Sequence, residues 1–166
     1  MKKWIPFLVL GLATMACSDD DEDNGPGGLT GRMIGTWDMT SLTYATSFPN
    51  PFDPFNPINA AGDATGVQGA FNVRYSPNQN LDYDYEFTID DDDLLFPIPV
   101  NRAGQADWQV LANNTKVMLI EDGETVIYDV LINEPDRQVW SGVIPFTISA
   151  LSITVDTDIQ FTLERR

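Results

Sequence analysis

For residues 29–166 the sequence predicts an all-β fold, a single up-and-down antiparallel β-barrel of eight to ten strands, and three observations carry that expectation. Leu81-Asp82-Tyr83-Asp84-Tyr85-Glu86-Phe87-Thr88-Ile89 alternates apolar and polar residues without a break, the two-residue period of a strand with one buried and one wet face. Valine, isoleucine, threonine and aromatic residues dominate the other periodic segments, and no stretch carries a long helical repeat. Turn residues recur at short intervals, and Asp122-Gly123 supplies the positive φ angles that a two-residue hairpin requires. Closing such a meander removes its exposed edges. A two-sheet β-sandwich fits the same pattern and stands as the alternative.

In chain order, Lys2 and Lys3 precede an apolar run from Trp4 to Leu12, and the small-residue stretch Ala13-Thr14-Met15-Ala16 leads to Cys17. That layout predicts a secretory signal over residues 1–16. The run meets Ser18 and Asp19 before reaching the roughly 20 apolar residues of a membrane-spanning helix. Cys17 is the only cysteine, so no intrachain disulfide can form. In residues 17–28, Asp19-Asp20-Asp21-Glu22-Asp23 is followed by Asn24-Gly25-Pro26-Gly27-Gly28, a self-repelling segment with nothing apolar to bury. It is expected to form an extended tether.

Beyond it, strands are expected at Thr36–Tyr44, Ala70–Tyr75, Leu81–Ile89, Ala106–Leu111, Lys116–Glu121, Thr125–Ile132, Gln138–Val143, Phe146–Val155 and Asp158–Leu163. Turns are expected at Pro77-Asn78, Asp90–Asp93, Asn113-Asn114, Asp122-Gly123, Asn133–Asp136 and Asp156–Asp158. The stretch Phe48–Gly69 interleaves Pro49, Pro51, Pro54 and Pro57 with Phe48, Phe52 and Phe55, which predicts a long loop of the functional or lid-like kind.

The net charge of −16 makes nucleic acid and anionic lipid headgroups poor partners. With no histidine in the chain, His-dependent triads, His–metal sites and imidazole acid/base work are excluded. Neither a Gly-x-Ser-x-Gly elbow, a phosphate loop nor a dinucleotide fingerprint is present. Asp82, Asp84 and Glu86 share one strand face and Asp90–Asp93 crowd one turn, but neither set has metal-loop spacing or forms a defined acid pair. A solvated strand face and an acidic turn account for them. The expectation is therefore a non-enzymatic protein with no catalytic residue, metal or cofactor.

A different group of residues suggests binding. Trp37, Tyr83, Tyr85, Phe87, Trp108 and Trp140 fall on expected inward faces, and a barrel of about eight strands is either filled by such side chains or holds one small apolar ligand. Tyrosine hydroxyls and indole N–H groups can satisfy a ligand's polar end. Arg102 can meet a carboxylate or phosphate group. The candidate ligand-binding set is Tyr83, Tyr85, Phe87, Trp108, Trp140 and Arg102, with core packing the competing role for each aromatic residue.

Three resemblances add to this reading. Ala16-Cys17 at the end of the apolar run resembles the bacterial lipoprotein box, with Thr14 standing where a leucine is usual. The resemblance implies diacylglycerol on the Cys17 sulfur, a mature chain beginning at Cys17 and a lipid anchor in the membrane. The acidic run behind it resembles the signal that follows the lipidated cysteine in surface-displayed lipoproteins of some Gram-negative bacteria. That implies an outer-membrane anchor at the cell surface, with a periplasm-facing domain as the alternative.

Gly31 to Leu42, containing Gly35-Thr36-Trp37, resembles the opening of the lipocalin-like domains of bacterial surface lipoproteins, and Ala106–Leu111 with the hairpins that follow resembles the later part of that family. The resemblance implies that Gly35 and Trp37 start the first barrel strand. It also implies that a basic residue of the last strand, Arg165 or Arg166, covers Trp37 in a cation–π contact of about 0.5–2 kcal/mol. The implied function is a non-enzymatic module that binds a small hydrophobic ligand. The alternative is a surface interaction or glycan-binding β-sandwich module that presents Phe48, Phe52, Phe55 and Trp140; no particular protein partner is indicated.

Overall fold

The computed structural model describes residues 28–50, 53, 55–75, 78–92, 94, 96–112, 114–148 and 153–166, the side chains of Phe146 and Ile148 aside. Residues 1–27, with the expected leader, Cys17 and most of the tether, lie outside the described residues, as does Phe52. A five-residue helix, α1 (Leu29–Met33), leads into β1 (Gly35–Phe48), β2 (Ile58–Asp63), β3 (Thr65–Arg74), β4 (Asn80–Ile89) and β5 (Ile98–Leu111). β6 (Lys116–Glu121), β7 (Glu124–Asn133), β8 (Arg137–Ile148) and β9 (Ile153–Arg165) follow.

The strands pair antiparallel with their neighbours, and β1 also pairs with β9 over Trp37–Thr46. That last pairing closes eight strands into a barrel and rules out the two-sheet sandwich. The ninth strand, β2, lies end to end with β3 along β1. β1 pairs with β3 through Gly35–Asp38 and with β2 through Thr43–Phe48, and the amide of Ala64 between them donates to the Leu42 carbonyl at 2.8 Å.

Inward and outward positions alternate as the two-residue period requires. On β4, Leu81, Tyr83, Tyr85, Phe87 and Ile89 are buried, while the acids between them face outward. On β1, a bulge between Met39 and Ser41 moves the inward set from Trp37 and Met39 to Leu42, Tyr44, Thr46 and Phe48. The interior is filled rather than hollow. Phe71 stacks on Tyr85 and Phe161, each at 5.7 Å between centroids, and Trp140 and Tyr128 pack around the same cluster at 5.5–6.4 Å.

Two expected boundaries are corrected. Phe146–Val155 is not one strand: it divides between the end of β8 and the start of β9. Asp156–Asp158 is not a turn, because Asp156 and Asp158 occupy outward positions in the middle of β9, where alternation with buried Val155, Thr157 and Ile159 satisfies them. The expected loop at Phe48–Gly69 is shorter than its composition suggests. Ile58-Asn59-Ala60-Ala61-Gly62-Asp63 has little intrinsic β preference, and it becomes a strand by pairing with β1. The glycan-platform expectation changes as well. Phe55 is 93% exposed, but Phe48 and Trp140 are core residues.

Candidate functional site

The two ends of the barrel differ. At the end where β1 begins, α1 lies across the opening with Leu29 and Met33 buried. The Trp37 indole N–H donates to the Met33 carbonyl at 2.7 Å. The Arg165 guanidinium lies 4.5 Å from the Trp37 ring centroid and donates to the carbonyls of Pro135, Ile34 and Arg32 at 2.7, 3.2 and 2.6 Å. Gly35 has φ of +138°, and a Cβ there would sit 3.0 Å from an Arg165 nitrogen, so glycine suits this position on both counts. Arg166 instead pairs with Asp38. This end is a plug, with each guanidinium nitrogen of Arg165 donating to a carbonyl.

The wall near the other end is incomplete. β6 and β7 form a short hairpin around Asp122-Gly123, so β6 covers β5 only over Asp107–Leu111 and β7 covers β8 only as far as Gly142. The earlier part of β5 and the later part of β8 therefore face each other without a strand between them. The resulting slot has a volume of about 390 Å³ and is walled by Pro99, Val100 and Arg102 on β5 and by Ile144, Pro145 and Thr147 on β8. Its size falls within the roughly 300–1,000 Å³ range of small-molecule sites. Both free edges carry a proline, a residue without an N–H to offer an added strand.

Arg102 stands where this slot meets the barrel interior. On its inner side is a cavity of about 30 Å³, lined by Phe71, Tyr83, Tyr85, Leu119, Glu121 and Tyr128 together with Arg102. That volume holds a water or two and no apolar ligand. Register explains the assembly: β4 and β5 place Tyr85 opposite Arg102 and Tyr83 opposite Gly104. A charged side chain facing inward needs partners. Arg102 finds Glu121 at 3.3 Å and the Tyr83 ring at 6.0 Å.

Tyr83 crosses over Gly104 to donate to Glu121 Oε2 at 2.5 Å. A Cβ on residue 104 would come within 2.8 Å of the Tyr83 hydroxyl and overlap the Glu121 carboxylate. Burial, followed by the hydrogen bond to Glu121, pushes the Tyr83 hydroxyl up to about 12. Burial likewise raises Tyr85 and Tyr128. All three are therefore protonated donors at neutral pH. Tyr128 is 5% exposed, and among the described residues no buried side-chain nitrogen or oxygen lacks a hydrogen-bond partner.

Of the candidate ligand-binding residues, Tyr83, Tyr85 and Arg102 come together here. Phe87, Trp108 and Trp140 do not. Phe87 stacks on Tyr85 at 6.2 Å but lies outside the cavity lining. Trp108 turns its N–H to the Arg74 carbonyl at 3.0 Å, and Trp140 donates to Gln138 at 2.8 Å. Their indole donors are spent on the protein itself. Glu121, Tyr128, Ile144 and Pro145 escaped sequence reasoning, although the short strand before Asp122-Gly123, set between longer neighbours, is the signal that could have revealed an incomplete wall.

The acids of β4 face the outer side. Asp82 bonds to Arg74 and Gln105, and Glu86 to Gln68 and Asn101. Among the described residues, no group of three or more acidic, cysteine or histidine side chains is arranged to hold a metal ion.

Fold and site together define a closed antiparallel barrel of eight strands with one added strand, an architecture consistent with a calycin-like barrel. No protein-family model matches the chain, and no curated protein matches it.

Proposed function

We propose that this chain is a lipid-anchored, surface-displayed and non-enzymatic binding module built on a lipocalin-like barrel. The observation that carries the binding reading is the pairing of a 390 Å³ slot with a half-buried Arg102 at its inner end. A protein with a sealed wall would have neither. The anchor reading rests on Cys17 at the end of the apolar run and on the acidic stretch behind it. The ligand is a small molecule with an apolar body, and it enters from the side of the barrel, because the aromatic cluster occupies the axis.

Two experiments test this. Mass spectrometry of the native protein is expected to find Cys17 diacylated at the mature N-terminus; an unmodified Cys17 overturns the anchor. Screening small amphipathic molecules by their effect on thermal unfolding is expected to find stabilising ligands whose effect is reduced by Thr147→Trp, which narrows the slot from its exposed wall. Ligand stabilisation unaffected by that substitution would place binding elsewhere.

A further inference from the structure

We propose that the outer face of β6, β7 and β8 docks a cationic amphipathic helix of a partner protein, its apolar stripe on Met118, Ile127 and Val143 and its basic flanks on Asp107 and Asp158. This surface lies on the outside of the wall and goes beyond the slot of the proposed function.

The first argument is a break in the outward pattern. On β4 and β9 the outward positions are polar, with Asp82, Asp84 and Glu86 on one and Asp156, Asp158 and Gln160 on the other. On the β6–β7 hairpin the positions that alternate with buried Val117, Leu119 and Tyr128 are instead Met118, Ile120 and Ile127, and β8 adds Val143. Register gathers them. Met118 pairs with Ile127, and one step beyond the Tyr128–Gly142 pair the same antiparallel register sets Val143 beside Ile127. Ile120, Ile127 and Val143 are 37%, 47% and 49% exposed. A single such residue on a surface needs no explanation, whereas a contiguous group on adjoining strands marks an interface.

The second argument is charge, which selects the occupant. Arg32, Arg74, Lys116, Arg137, Arg165 and Arg166 all stand toward the plugged end, leaving Arg102 as the described cation of the other half. Asp107 pairs with Ile120 across β5 and β6, and Asp158 with Val143 across β8 and β9, so an acid borders the patch on each side. Neither acid is in an ion pair among the described residues, whereas Lys116, on the neighbouring row, is taken by Asp129. A second copy of this chain, with its net charge of −16, or an anionic lipid surface meets repulsion at these acids. A basic partner is drawn to them.

The third argument is dimension. Strands about 4.8 Å apart set Met118 and Val143 roughly 10 Å from each other. Helical residues i and i+7 are also about 10 Å apart, so an apolar stripe at i, i+4 and i+7 meets all three strands. A basic residue one turn farther along reaches Asp158 on the next strand.

The test uses the full chain in phosphatidylcholine nanodiscs, with empty nanodiscs as the blank. The probe is a dye-labelled alanine–lysine helix of about 15 residues with leucines at i, i+4 and i+7. Its control has the same composition with the leucines dispersed around the helix. Fluorescence anisotropy is expected to show the probe binding at least about fivefold more tightly than the control. Ile127→Ser is expected to weaken probe binding about tenfold, and Asp107→Asn combined with Asp158→Asn about threefold. Asp63→Asn combined with Asp84→Asn removes as much charge from other strands and is expected to leave binding nearly unchanged. Thermal unfolding checks that Ile127→Ser is folded, and Val143→Ser is expected to show a similar loss by itself. Equal binding of probe and control, or equal losses in the two aspartate pairs, reduces the attraction to diffuse charge and overturns the proposal. Binding unchanged in both Ile127→Ser and Val143→Ser overturns it as well. A dimer in sedimentation velocity that Ile127→Ser dissolves gives the face to a second copy instead.

Discussion

The barrel holds two inward-turned arginines in opposite circumstances. Arg165 covers Trp37 and gives its donors to three backbone carbonyls, so that end is finished by the chain itself. Arg102 sits at a break in the wall and shares the Glu121 carboxylate with Tyr83. The same residue type thus closes one end of the barrel and borders an opening in its wall elsewhere.

The largest test of this contrast is in stability. Trp37→Ala, at the plug, is expected to cost about 3–5 kcal/mol in denaturant unfolding, because it empties a fully buried site and frees the Met33 carbonyl. Phe55→Ala at the far end, where the ring is 93% exposed, is expected to stay within about 0.5 kcal/mol. Comparable losses would erase the distinction between the ends.

Next come the arginines. Arg165→Ala is expected to cost about 2 kcal/mol through its hydrogen bonds and its contact with Trp37. Arg102→Gln is expected to cost about 1 kcal/mol or less, since Glu121 is left partly in water. The reverse ranking in denaturation midpoints would make Arg102 the structural residue of the pair.

A further effect concerns pH. Tyr83 ionises near 10.0 when free and near 12 in the folded protein, so above pH 10 the unfolded chain gives up a proton that the folded chain keeps. The stability due to Tyr83 is fully present below pH 10 and is lost as pH rises through about 12. Unfolding curves collected across that window are expected to show the decline, and Tyr83→Phe is expected to flatten part of it. An unchanged profile in the variant would mean that Tyr83 titrates alike in both states.

Much of the barrel was legible in the sequence because a two-residue period is a local signal. The strand Leu81–Ile89 is read directly from its alternation, and it is found almost unchanged as β4. What was not legible depends on partners distant in sequence. β2 exists because β1 lies beside it, and Asp156 and Asp158 look like turn residues until alternation through β9 is seen. The site divides in the same way. Inward Tyr83 and Tyr85 follow from strand parity, whereas Arg102, which lies ahead of the strand expected at Ala106–Leu111, joins them with Glu121 and Tyr128 only because β5 begins at Ile98 and pairs with β4. The slot itself follows from the difference in length between the β6–β7 hairpin and the strands on either side.

The most direct measurement is a residue-resolved NMR titration of the chain with a small amphipathic molecule that stabilises it against thermal unfolding. With the slot as the site, the largest shifts fall on Val100, Asn101, Arg102 and Thr147, while Trp37 and Arg165 stay unmoved. Shifts centred on Trp37 and Arg165, or on the outer face of β4 around Asp84, would contradict it.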